Sequence, residues 1–176
     1  MITAVKTKLA SHPTAKVLVT GHSLGAAIAT LAAIEIREQI NPTTLRFYTF
    51  GSPRVGNQEF SDYVMKYFDD GYYSRVTHFD DGVVHAPLKS MGFNHAGNEV
   101  WYKNKDTDMT YQECENSIGK SESSACSNQY IIQTGIAAHL TYLGKPISNM
   151  CTSKDSTEGK TNSEELFLSA WFSQID

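Results

Sequence analysis

Apolar and polar positions trade places along the first hundred residues in the periods of helices and strands. Residues 2–10 put Val5 and Leu9 on one helical face and stop at Ser11-His12-Pro13, which predicts a short helix. Lys16–Thr20 is a compact β-rich run of the kind buried on both sides of a sheet. Leu24–Ile40 follows as a helix rich in Ala, Leu and Ile, with Asn41-Pro42 as its stop. Leu45–Phe50 (LRFYTF) predicts a second strand, cut off by Gly51-Ser52-Pro53, and Gln58–Phe68 a helix that exposes Asp62 and Lys66. Tyr72–Phe79 and Glu99–Lys103 predict two more strands, with a long loop between them. Strands alternating with helices in this way predict an α/β protein: a mostly parallel sheet with helices on its faces.

Past Lys103 the pattern weakens. Residues 104–129 are polar and read as loop, Gln129–Leu143 reads as a helix, and residues 152–165 form a charged, Ser/Thr-rich linker before the apolar LFLSAWF. The expected organisation is a domain over 1–151 and a polar linker with a tail over 152–176.

Composition narrows the function. With 176 residues, 40% of them hydrophobic and 19% charged, the chain can bury one real core and is not of the disordered class. A net charge of −4 without a Lys/Arg cluster argues against a nucleic-acid partner. No apolar run reaches the length of a transmembrane helix, and MITAVKTKLASHP lacks the apolar core of a signal peptide. Of the three cysteines, Cys114 and Cys126 bracket the polar stretch CENSIGKSESSAC and could close a short disulfide loop, leaving Cys151 over. Without close Cys-x-x-Cys pairing or nearby His, a metal site is not expected, and no cofactor is implied.

The candidate chemistry lies in VLVTGHSLGAAIATLAA, residues 17–33, where Gly21-His22-Ser23-Leu24-Gly25 fits G-x-S-x-G. A chain of this length meets that pattern by chance about once in twenty, so its weight comes from where it stands, between a strand and a helix, as a nucleophile elbow requires. Side chains at the two glycines are expected to collide with neighbouring backbone in so tight a turn. Ser23 is then the candidate nucleophile, and the Leu24 N–H, at the start of the helix, a donor to a developing oxyanion. A serine needs a base, and the base an orienting acid, in the chain order Ser, Asp/Glu, His. The acid belongs just past the strand ending at Phe79, where Asp80 and Asp81 are both candidates and only one can face the base. Of six histidines, His22 lies inside the elbow and is expected to point away from the nucleophile. His12 precedes the strand, His78 lies in one, and His85 follows the acid too closely, which leaves His95 and His139.

The blocks VTGHSLGAAIATLAA, YTFGSPRVGNQEF, RVTHFDDGVVHAP, NHAGNEVWY and HLTYLG, in that order from about Val17 to Cys151, resemble the class 3 (fungal-type) triacylglycerol lipases. The resemblance implies a three-layer α/β-hydrolase fold, with the triad falling on Ser23, Asp81 and His139 and a structural role on His95. It also implies the Cys114–Cys126 pairing, and that Gly51 and Pro53 shape a loop beneath the site. Val84 stands where the family usually has Pro, and Gly82 replaces a bulkier residue, so the acid's loop is expected to be less rigid. The implied reaction is hydrolysis of acylglycerol or other lipid esters at a lipid–water interface, by an extracellular or secretory-pathway protein. Esterases of phospholipid or feruloyl esters, and a non-catalytic lipid-binding remnant, are the alternatives. The family's front strands, lid, second oxyanion donor and a partner for Cys151 have no match here. The chain is therefore expected to be the C-terminal half to two-thirds of such a domain, poorly soluble and nearly inactive alone.

Overall fold

A computed structural model of the chain describes residues 1–68, 73–105, 109–129 and 135–147. It divides into two compact units, Met1–Lys145 and Pro146–Asp176; nearly all of the second unit lies outside the described residues, as do Cys151 and the boundary expected after it. The first unit begins with helix α1 (Ile2–Ser11), strand β1 (Val17–His22) and helix α2 (Leu24–Gln39). Strand β2 (Leu45–Phe50), helix α3 (Gln58–Tyr67) and strands β3 (Tyr73–His78), β4 (Asn98–Tyr102) and β5 (Tyr111–Cys114) follow. A one-turn helix, α4 (Ile136–His139), comes last before the chain reverses.

The sheet runs in the order β1-β2-β3-β4-β5; the first four strands are parallel and β5 is antiparallel to β4. Alternation puts Leu45 and Phe47 of β2 and Tyr73 of β3 on one face, where they pack with Ala29, Ala33, Ile34 and Ile36 of α2 and Val64 and Met65 of α3. Phe47 stacks on Tyr73 with ring centroids 4.2 Å apart. Helix α2 ends as the sequence predicts: Asn41 takes a left-handed conformation (φ 47°) before Pro42, which cannot continue a helix.

β1 sits at the end of the sheet with Thr20 exposed, and no described strand pairs with its outer edge, so a run of the kind buried on both sides stands here at an edge. The fold departs from the sequence reading in two places. The stretch 104–129 is not all loop, since β5 adds a strand there and the Cys114–Cys126 disulfide (Cα–Cα 6.1 Å) ties it to residue 126 beneath Trp101. The helix expected over 129–143 is, among the described residues, only α4, preceded by a turn at Ser127–Gln129. At Gly135 itself a Cβ would lie 2.1 Å from the Asp80 carboxylate, and the Gly135 N–H donates to the Asp80 carbonyl (3.2 Å), so this residue's backbone pairs with the Asp80–Asp81 loop rather than within a helix.

Candidate active site

The strand β1 runs straight into α2, and the reversal is concentrated in Ser23, whose backbone has φ 58° and ψ −130°. That is a region an L-residue enters only under constraint. The constraint is visible on either side: the Ser23 N–H donates to the Phe50 carbonyl (3.0 Å), and Ala26 and Ala27 donate to the Ser23 carbonyl. Gly21 makes the turn possible, since a Cβ there would stand 2.3 Å from the Gly25 carbonyl oxygen. The expectation for Gly25 is not met. A Cβ at Gly25 would meet nothing within 4 Å, so the crowding is between the Gly21 Cα and the backbone of residue 25, and only the first glycine relieves it.

Ser23 Oγ lies 2.8 Å from His139 Nε2, and His139 Nδ1 lies 2.9 and 3.1 Å from the two carboxylate oxygens of Asp81. Facing a carboxylate, Nδ1 carries the proton, which leaves Nε2 to accept from the Ser23 hydroxyl. Residues 116 apart in the chain thus meet at the same end of the sheet, past the C-termini of β1 and β3. Asp81 is 1% exposed, and a carboxylate so buried needs its lone pairs occupied. The Val83 N–H donates to Oδ1 (2.8 Å) and the Tyr142 hydroxyl to Oδ2 (2.5 Å), besides His139. Burial, and then the Asp81 charge, push the Tyr142 hydroxyl well above its ordinary pKa, so it stays a donor. Asp80 turns away, its carboxylate and carbonyl facing Gly135.

Gly51 supports this arrangement from the end of β2. It has φ +57°, and a Cβ there would lie 2.9 Å from the Tyr142 hydroxyl, 3.1 Å from Asp81 Oδ2 and 3.1 Å from His139 Cε1. The loop does lie against the site, as the resemblance implies. His95 is elsewhere: buried, with its Nε2 2.7 Å from the Val84 carbonyl. For His22, expected to point away from Ser23, the sequence reading foresaw no partner: its Nε2–H donates to the His139 carbonyl (2.9 Å) and its ring packs on the His139 ring at 4.6 Å. Burial lowers the His22 pKa and keeps it neutral against the imidazole beside it. His78 holds the other carbonyl of this turn, its Nδ1 lying 3.0 Å from Ala138 O.

Sequence reasoning missed Tyr142 and the contacts of His22. Both touch partners far away in the chain, and their only trace was membership of the HLTYLG and GHSLG blocks. Close to Ser23 and His139 in the chain stand three exposed apolar side chains, Leu24, Ile136 and Leu140, at 68%, 60% and 39%. Among the described residues no group of three or more His, Cys, Asp or Glu is placed to hold a metal ion, and no helix is long and apolar enough to cross a membrane.

Comparison with known proteins returns the same family as the motif blocks. The profile of the family Lipase (class 3) matches residues 1–91, just over half of the chain. The lipase of Rhizopus niveus is 40% identical over 142 residues, which cover 78% of this chain and 34% of that protein. The secreted mono- and diacylglycerol lipase 1 of Fusarium solani is 39% identical over 139 residues, 79% of this chain and 40% of its own length. Among solved structures, a triacylglycerol lipase whose catalytic centre is formed by a serine protease triad superposes with a TM-score of 0.72 at 37% identity, covering 82% of this chain and 53% of that one. The chain spans less than half the length of these curated relatives, and it shares with them the α/β-hydrolase fold. By its sequence and its fold, the chain belongs to the class 3 lipase family.

Proposed function

We propose that this chain carries the nucleophile, base and acid of a serine hydrolase that cleaves lipid carboxylic esters. Ser23 is the nucleophile, His139 the base and Asp81 the orienting acid. The observation that carries the reading is the unbroken line from Ser23 Oγ through His139 to Asp81, at 2.8 and 2.9 Å. His139 Nε2 takes the hydroxyl proton as Ser23 Oγ attacks the ester carbonyl, and the buried Asp81 stabilises the imidazolium that forms. The carbonyl oxygen, now negative, accepts from the Leu24 N–H, one of the first-turn donors of α2 that has no intrahelical acceptor. His139 returns the proton to the leaving alcohol. Water, deprotonated by the same nitrogen, then attacks the acyl-Ser23 carbonyl, which frees the fatty acid and restores the serine.

The exposed apolar side chains next to Ser23 and His139 in the chain, Leu24, Ile136 and Leu140, suit an acyl chain better than a sugar or a phosphate. The relatives named as lipases, mono- and diacylglycerol lipase among them, support acylglycerols as substrates, and the secreted one supports an extracellular site of action. The intact contacts of Ser23, His139 and Asp81 weigh against a non-catalytic lipid-binding remnant. The test is hydrolysis of emulsified mono-, di- and triacylglycerols beside a phospholipid and a feruloyl ester, with Ser23→Ala as control. Acylglycerol turnover above the control supports the proposal; cleavage of the feruloyl ester alone, or equal rates with Ser23→Ala, overturns it.

A further inference from the structure

The loop that carries Asp81 is pinned by a buried ion pair standing well away from it in the chain. Arg54, on the loop after β2, is 5% exposed, and Glu122, inside the Cys114–Cys126 loop, 7%. Arg54 Nε and Nη2 donate to the two Glu122 oxygens at 2.7 and 2.8 Å, a bidentate fork. The remaining nitrogen, Nη1, donates to the His85 and Pro87 carbonyls (2.5 and 2.9 Å), and the Arg54 backbone N–H donates to the Ala86 carbonyl (2.8 Å). The carbonyl before these, that of Val84, accepts from His95 Nε2 (2.7 Å), and the His95 backbone N–H donates to Glu122 Oε1 (2.8 Å). Four consecutive carbonyls, residues 84–87, are therefore held by Arg54 and His95, and both of these are held in turn by Glu122.

The chain expected to loosen, because Gly82 and Val84 replace stiffer residues, is thus tied from outside. Burial, the largest single influence, pushes the Glu122 carboxyl up, but the Arg54 hydrogen bonds together with the charges of Arg75 and Arg54 outweigh it and leave the group ionised, with its pKa lowered. Burial also lowers the His95 pKa well below the usual value, so the ring stays neutral, with one N–H to give. We infer that Arg54 is a positioning residue for the proposed reaction: with Glu122 as its anchor it fixes the loop that aims Asp81 at His139. A buried pair is weak evidence for stability in itself, because apolar residues of similar volume can replace it at little net cost. That makes the positioning role separable from the folding role.

The inference rests on the serine-hydrolase proposal, and its test keeps the two apart. A fluorophosphonate that phosphonylates Ser23 reports the nucleophile and its base without substrate, read as adduct mass against time over a range of probe concentration. The double variant Arg54→Met/Glu122→Leu removes the pair as a unit. Folded by its cooperative melt, it is expected to label at least tenfold more slowly. Its rate–concentration profile should place that loss in the rate at saturating probe and leave the half-saturating concentration unchanged, because the aim of Asp81 at His139 serves the attack and not the binding of the probe. A folded double variant with the parent's rate and profile overturns the inference. If the double variant does not fold, Arg54→Lys decides: one ammonium cannot serve both Glu122 and the loop carbonyls, so a parent-like rate and profile in that variant also overturn it. If the parent itself is not labelled, the serine-hydrolase proposal fails instead. The clamp is then read from amide exchange of residues 82–87, which the double variant should accelerate; unchanged exchange rejects the clamp.

Discussion

The elbow makes a sharp prediction about two glycines that the G-x-S-x-G pattern treats alike. In Gly21→Ala the added Cβ lies 2.3 Å from the Gly25 carbonyl oxygen, 2.5 Å from its carbon and 2.8 Å from the Ala26 nitrogen, whereas ordinary contact begins near 3.4 Å. All three atoms are backbone, so no rotamer change relieves the clash, and β1 and the start of α2 must separate by about 1 Å. Overpacking of this kind costs about 1–3 kcal/mol. The greater effect is on geometry. Ser23 Oγ is 2.8 Å from His139 Nε2, and a shift of about 1 Å takes it out of hydrogen-bonding range, a misplacement worth about 10²-fold in rate. In Gly25→Ala the Cβ meets nothing within 4 Å, and replacing a helical glycine gains up to about 1 kcal/mol. The assay pairs a thermal melt with the rate of Ser23 phosphonylation. Gly21→Ala should lose several degrees and about 10²-fold in rate, while Gly25→Ala keeps both. Equal losses in the two variants, or a parent-like Gly21→Ala, would refute the reasoning.

Further outcomes follow from the groups around Asp81. Asp81→Asn should slow Ser23 labelling about 10⁴-fold, as expected when the base loses its orienting charge, and Asp80→Asn, whose carboxylate faces Gly135, should stay within about twofold of the parent; the reverse order would reassign the acid. Tyr142→Phe leaves a buried carboxylate oxygen short of one donor, at a cost of about 1–3 kcal/mol. It should slow labelling by about tenfold or more without changing the shape of the fold, and an unchanged rate would make Tyr142 packing alone. His85 is buried, and desolvation first, then the Arg54 charge, hold its pKa down at about 4. The unfolded chain takes up a proton there near pH 6.5 while the folded one does not. That stabilisation is therefore full above pH 6.5 and is lost as pH falls toward 4, on the order of 3 kcal/mol. Melts between pH 7 and 4 should show the decline, and His85→Leu should flatten it; an equally steep decline in His85→Leu would exclude this residue as the cause.

What the sequence made legible was whatever rests on local pattern. Periodicity located α1 through β4 to within a residue or two, because each carries its own apolar face or its own stop, such as Asn41 with Pro42. β5 escaped because it is an edge strand: Tyr111, Gln112 and Glu113 face outward in whole or part, and only Cys114 is buried, so little alternation shows. Of the helix expected over 129–143, the described part is helical only at Ile136–His139 and turns to strand at Thr141–Tyr142, and the demand that Gly135 abut Asp80 comes from across the fold. The same limit applies at the site. Spacing left His95 beside His139 and Asp80 beside Asp81, and motif resemblance was needed to choose between them. Arg54 and Glu122 were invisible as a pair because 68 residues separate a loop arginine from a glutamate in a polar stretch. Gly25 is the opposite case, a glycine given a steric reason by its pattern that its surroundings do not supply.

The central claim is that one serine in this chain is a nucleophile activated by His139. The most direct measurement is peptide mapping of the chain after treatment with a fluorophosphonate, beside Ser23→Ala and His139→Ala. The account predicts a single adduct on the peptide containing Ser23, absent from Ser23→Ala and slowed by orders of magnitude in His139→Ala. No adduct on the folded chain, an adduct on another serine, or labelling indifferent to His139 would contradict it.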